Sequence, residues 1–146
     1  MLHGRYGDTS GRPYLEGRLF LPRLGIQGDI SFLVDTGADR TLLMVDDAQL
    51  LGIDYSKLKL SKQSSVGIGG VARHFVERGI VVFAEPGRYL YAYEIQIAIA
   101  QPEKSLKRVP SLLGRDIISR WQMIYAPRRS NLRFTVLSSD LKVRIS

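Results

Sequence analysis

Apolar and polar positions alternate with a period of two along most of the chain, the spacing of half-buried strands. From Tyr14 to Leu21 the run alternates, with Leu15, Gly17, Leu19 and Leu21 at every second position before Pro22 ends it, and Asp29 to Val34 grows more apolar, predicting a strand that enters a core. Two long strand-like segments flank Val66-Gly67-Ile68-Gly69-Gly70-Val71, the outgoing one running from Arg73 through Phe75 and Glu77 to Ala84. Glu85-Pro86-Gly87-Arg88 reads as a turn. Beyond it Tyr89 to Ile99 alternates again, with Tyr91, Tyr93, Ile95, Ile97 and Ile99 on one face. Gln101 to Val109 is a charged loop, Ser111 to Leu113 a short buried strand, and Met123 to Tyr125 and Leu132 to Leu137 are closing strands. The tail from Ser138 to Ser146 is expected to add an edge strand.

Only two segments read as helix. Val45 to Gly52 fits one short helix, with Asp46 as its N-cap and Gly52 as its stop, and Arg115 to Trp121 fits a second. The paired acids Asp46 and Asp47 are read as helix-start residues rather than as a metal pair. With no repeat, no low-complexity tract and no composition break, residues 1–146 are expected to form a single domain. Met1 to Arg12, polar and glycine-rich, is expected to be a flexible lead-in without a signal-peptide core.

Composition narrows the chemistry. Hydrophobic residues at 45% and charged residues at 24% are those of an ordinary soluble globular protein. The absence of cysteine excludes disulfides, thiol nucleophiles and thiolate metal sites, and fits a reducing, cytoplasmic setting. Only His3 and His74 are present, which argues against a histidine metal site or relay, so neither metal nor cofactor is expected. His74, alone past the glycine-rich tip, reads as a surface strand residue. The longest aliphatic stretch, Ile80 to Ala84, is far too short to span a bilayer. The formal charge of +7 comes from residues scattered over Lys57, Lys62, Lys107, Arg128 and others, without the stripe or motif that nucleic-acid binding needs. It reads as a solvated basic surface.

Residues 32 to 39, Phe-Leu-Val-Asp-Thr-Gly-Ala-Asp, break an apolar run with an acid, a costly place for a carboxylate unless it caps a turn or does chemistry. Asp35-Thr36-Gly37-Ala38-Asp39, then Gly67-Ile68-Gly69-Gly70, then Leu112-Leu113-Gly114-Arg115-Asp116 occur in that order over residues 32 to 118. Together they closely resemble the retroviral-type, or retropepsin-like, aspartic proteases, and the chain length looks more like the cellular and bacterial members than the compact viral ones. The resemblance implies an all-β fold with one or two short helices, and a homodimer that forms one active site. It implies an aspartic endopeptidase in which Asp35 from each subunit meets at the two-fold axis and the pair shares one proton, the known behaviour of aspartic proteases in general.

Further roles follow from the same resemblance. Thr36 would reach across the axis to the partner's backbone, and Gly37 would let the loop approach a peptide, with its carbonyl as acceptor. Ala38 would line the floor, while Asp39 would bind substrate main chain, pair with Arg115, or do both. Gly67, Ile68 and Gly69 would be the tip of a flap that closes over the cleft. Val109, Leu112 and Ile68 are candidate apolar pocket walls. Arg40 stands where the viral pattern often has an acid, which would bias one subsite toward acidic or polar groups. Asp116 is read as a helix cap. A peptide-binding or scaffolding dimer that keeps the fold without turnover is the alternative.

Overall fold

The computed structural model describes residues 1–60 and 74–145. Strands are β1 (Leu2–His3), β2 (Arg5–Tyr6), β3 (Pro13–Leu21), β4 (Ile26–Val34) and β5 (Leu42–Leu43), followed by helix α1 (Val45–Leu51) and β6 (Lys59–Leu60). Then come β7 (His74–Glu85), β8 (Tyr89–Ala100), β9 (Leu112–Leu113), helix α2 (Arg115–Ile118), β10 (Trp121–Ala126), β11 (Asn131–Val136) and β12 (Leu141–Arg144).

The larger sheet runs β12-β8-β5-β9-β4-β3-β7-β6, and the long antiparallel pairing of β7 with β8 closes β8-β5-β9-β4-β3-β7 into a barrel. Closure removes the free edges of those strands and encloses Leu19, Leu21, Ile30, Phe32, Val81, Phe83, Tyr93 and Ile97, all essentially without solvent contact. A second sheet, β1-β11-β10, packs on the barrel through aromatic rings. Trp121 lies 5.0 Å from Phe83 edge-on and 5.1 Å from Phe134, and its indole N–H donates to the Tyr93 hydroxyl at 2.6 Å. The Tyr93 hydroxyl in turn donates to the Ser138 carbonyl at 2.8 Å, so the buried polar tips are satisfied.

Several strand expectations meet the structure closely: β3, β7, β8, β9 and β11 lie where alternation put them, Arg88 N–H closes the Glu85 turn, and β12 pairs with β8 at the sheet edge. Gly52 ends α1 with φ 76.

Four expectations are corrected. The first residues are not a loose lead-in: β1 pairs with β11, β2 with β3, and Leu2 is buried. The second helix stops at Ile118: the Arg115 carbonyl takes both the Ser119 amide at 3.1 Å and its hydroxyl at 2.5 Å, and Trp121 is drawn into the aromatic cluster as the first residue of a strand. Asp46 is not the N-cap of α1, which is Met44. Instead Asp46 accepts from the Arg108 amide at 2.9 Å and Asp47 from the buried Ser111 hydroxyl at 2.6 Å, tying the long loop before β9 to the first turn of α1.

The fourth correction is His74. It is fully buried opposite Ala100, and neither ring nitrogen has a hydrogen-bond partner among the described residues. Burial, with the nearby Arg40 charge second, holds its imidazole below the ordinary histidine range. The unfolded chain therefore binds that proton more readily, and the stability tied to neutral His74 is intact above its unfolded value of about 6.5. That stability is lost as pH falls from there through the lowered folded value. His74→Leu is expected to stabilise the fold by about 1–3 kcal/mol at pH 7.5, since two buried nitrogens without a partner among the described residues go, and by more at pH 5. Chemical denaturation at both pH values measures it; a variant less stable than wild type at pH 5 would count against this account.

Candidate active site

β4 delivers Asp35 to the site. Phe32 and Val34 are buried in the barrel, Leu33 and Val34 pair in parallel with Leu112 and Leu113, and Asp35 N–H donates to the Leu113 carbonyl at 3.0 Å. At Asp35 the chain leaves the strand. Gly37 N–H donates to Asp35 Oδ1 at 2.9 Å and Ala38 N–H to the Asp35 carbonyl at 3.2 Å, so the acid orders its own turn. A Cβ on Gly37 would lie 3.2 Å from that same carboxylate oxygen, which explains a residue without a side chain there. Asp35 is half-buried and Thr36 and Gly37 are exposed, so the carboxylate stands at the rim of a rigid barrel.

The turn is strapped from one side by the segment after β9. Arg115 donates its amide to the Ala38 carbonyl at 2.9 Å and its Nη1 to the Thr36 carbonyl at 2.9 Å, while Nη2 pairs with the Asp39 carboxylate. The forked guanidinium thus spans the turn from Thr36 to Asp39. Both charged partners are substantially exposed, so the pair orders the turn more than it stabilises the fold.

A buried strap lies beneath. Thr41, without solvent contact, donates its amide to both carboxylate oxygens of Asp116 at 3.0 Å and its hydroxyl to Oδ1 at 2.8 Å. The same hydroxyl accepts from Gly114 N–H at 3.2 Å. Asp116 is therefore not a cap on its own helix, whose first position is held by Gly114 without a side-chain cap. Desolvation pushes its carboxyl above the usual range, against the lowering effect of the Thr41 bonds. Thr41 and Asp116 as a unit were not foreseeable from spacing: they are 75 residues apart, and Asp116 alone reads as a helix cap.

Asp35, Thr36, Gly37, Ala38, Asp39 and Arg40 thus form one loop, with Arg115 across it. Ala38 does not present an open floor in the single chain: it is 2% exposed and its carbonyl is taken by Arg115. Arg40 is half-buried, and its charge acts on both Asp116 and His74. Leu112 is half-buried against a small cluster of Leu42, Met44, Val45, Ala98 and Ala100, and Val109 is exposed on the loop before it. Gly67, Ile68 and Gly69 lie outside the described residues.

Residues 24–117, well over half of the sequence and including the Asp35 turn, both straps and the glycine-rich segment, match the family model described as Aspartyl protease. The chain belongs to the aspartyl protease family. Among solved structures it is similar to a retropepsin-like aspartic protease from Rickettsia conorii, with a TM-score of 0.62 and 20% identity over 99% of this chain and 92% of that one. At that identity the likeness concerns the fold, which is retropepsin-like. No curated protein sequence matches the chain. Among the described residues no helix of this family member is long and apolar enough to cross a membrane.

Proposed function

We propose that this aspartyl protease family member is an endopeptidase whose catalytic centre is assembled from two copies of the chain. The observation that carries the reading is the Asp35 turn: a carboxylate at the barrel rim, ordered by Gly37 and held by Leu113, Arg115 and the Thr41–Asp116 strap. One such turn supplies one carboxylate, while the only other acid of the turn, Asp39, is engaged by Arg115. Acid–base hydrolysis of a peptide needs a second, and two-fold pairing brings in the partner's Asp35. The ionised Asp35 takes a proton from water as it attacks, and its protonated twin donates to the scissile carbonyl oxygen.

In that arrangement Thr36 fixes the two turns to each other and the Gly37 carbonyl accepts from the peptide backbone. Asp39 and Arg40 meet the peptide further out, Val109 and Leu112 contribute apolar contact, and Gly67, Ile68 and Gly69 cover it. The test is a mixed peptide library with wild type over a range of protein concentrations. Cleavage should rise with the square of total protein below the dimer's dissociation constant. A stable dimer that binds peptides without cutting them would favour the scaffold alternative, and cleavage strictly proportional to a monomer's concentration would remove the shared site.

A further inference from the structure

We infer that His74, acting through Arg40, is a proton-sensitive support of the Asp35 turn, which it releases in mild acid while the barrel stays folded. The consequence for cleavage rests on the endopeptidase reading above; the consequence for the turn does not.

His74 opens β7, has no solvent contact, and has no bond from either ring nitrogen among the described residues. Val81 and Phe83 point into the barrel, so by alternation His74 and Val76 stand on the other face of β7. There β8 sets Ala100 opposite His74 and Ala98 opposite Val76. The same two alanines pack with Leu42, Met44 and Val45, the segment that leaves the Asp35 turn. The Ala98 amide donates to the Thr41 carbonyl at 3.1 Å, so one step along β8 joins the His74 rung to the strap behind the turn.

The charged groups around that face are few. β8 presents alanine, and β6 adds Lys59, exposed opposite Val76. Glu77 stands on the other face of β7 and is paired with Arg23. Asp46 and Asp47, beside the Leu42 cluster, are committed to the Arg108 amide and the Ser111 hydroxyl. Half-buried Arg40 is the charge that acts on His74, and it acts on Asp116 as well. No carboxylate bonds the His74 ring among the described residues.

At neutral pH Arg40 and Asp116 carry opposite charges and His74 carries none. A proton on His74 adds a second positive charge beside Arg40 in a site closed to water. Burial first, and Arg40 second, hold the imidazole below the ordinary histidine range. A chain opened around His74 takes the proton nearer to about 6.5, so acid favours the opened state. Asp116 runs the other way. Burial raises its carboxyl, the folded chain takes that proton more readily, and the group adds nothing to the acid loss. Relief comes from moving Arg40 or parting the strands beside Ala100. Arg40 lies between Asp39, held by Arg115, and Thr41, held by Asp116 and the Ala98 amide. Either movement loosens the grip on the turn that carries Asp35.

The test is amide hydrogen exchange at pH 7.5 and pH 5, corrected for intrinsic rates, on wild type, His74→Leu and Arg40→Gln, with peptide cleavage over the same range. The amides of Ala38, Ala98 and Arg115 report the grip, since each donates to a main-chain carbonyl that does not titrate. In wild type their protection should fall about tenfold at pH 5, with the circular-dichroism spectrum unchanged. The Arg88 amide, in the turn at the far end of β7, should not respond. His74→Leu should abolish the loss and move the acid side of the kcat/KM profile down by about one pH unit, leaving the alkaline side in place. Arg40→Gln should raise the His74 midpoint, followed by NMR, by about half a unit. His74→Gln, neutral and of similar size, decides if the leucine variant does not fold. Protection that is independent of pH, a loss that persists without His74, an unmoved acid limb, or a His74 midpoint indifferent to Arg40 overturns the inference. A wild type that cuts no peptide at any pH but loses turn protection through His74 upholds the switch and refutes the endopeptidase reading.

Discussion

Asp35→Asn is expected to lower kcat/KM for peptide cleavage by at least about 10³-fold while leaving the fold and the dimer in place. The substitution keeps shape and one acceptor: the side-chain oxygen still faces Gly37 N–H, 2.9 Å from it in the native chain, and the half-buried position has room for an amide. Stability should therefore change by no more than about 0.5 kcal/mol. On the proposed mechanism, what is lost is the group that takes a proton from water and, in the partner, the group that gives one. The proposed shared site makes a second result obligatory. Titrating Asp35→Asn into a fixed amount of wild type must lower the total rate, because each mixed dimer holds one carboxylate and consumes a functional chain. A rate unaffected by the added variant would show that a single chain suffices. Two coupled carboxylates with one proton also require a bell-shaped dependence of kcat/KM on pH, since losing or adding a proton disables the pair.

The barrel and the Asp35 turn were legible in the sequence for a common reason: both are written locally. Period-two alternation survives wherever one face of a strand meets the core: in β7 every second residue from Glu77 to Glu85 is buried, and in β8 the pattern holds as far as Ile97, after which Ala98, Ile99 and Ala100 are all buried. The turn is one contiguous run from Asp35 to Asp39, so its residues could be named together. What could not be read depends on register between distant segments. His74 looks like a solitary polar strand residue until the β7–β8 ladder sets it opposite Ala100. Ile117, Ile118 and Trp121 fit a helical spacing, and only the rings of Phe83 and Phe134, from other strands, turn Trp121 into a strand residue. Leu2 and Tyr6 sit in strands too short to show a period, yet Leu2 is buried and Tyr6 bridges the β10–β11 hairpin. Asp116 resembles a helix cap and Thr41 an ordinary loop residue, and their partnership exists only because β4 and β9 run side by side.

Gly114→Ala is expected to be the most damaging single-methyl change near the site. Gly114 has φ −98 and ψ −179, extended backbone that any residue adopts, so its dihedrals do not explain it. Its surroundings do. A Cβ there would lie 2.4 Å from the Arg40 carbonyl carbon, 2.5 Å from its oxygen and 2.9 Å from the Thr41 nitrogen, all of them main chain. No rotamer change can relieve such contacts, so the loop leaving the Asp35 turn must move away from α2. That movement stretches the Gly114–Thr41 and Thr41–Asp116 bonds, leaving a buried hydroxyl and a partly buried carboxylate underserved. The combined cost is about 3 kcal/mol, or a fall in Tm of about 10 °C for a chain of this size. Activity should fall further than stability accounts for, by about 10²-fold at temperatures where the variant is folded, because a turn displaced by about 1 Å no longer presents Asp35 to its twin. Gly52→Ala is the matching control. Gly52 holds φ +76 with open space around its missing Cβ, so alanine there strains the backbone by about 1 kcal/mol without touching the turn. Thermal unfolding beside kcat for both variants separates a strap from a merely tight glycine: if Gly114→Ala retains wild-type kcat once folded, the turn does not depend on the segment that grips it.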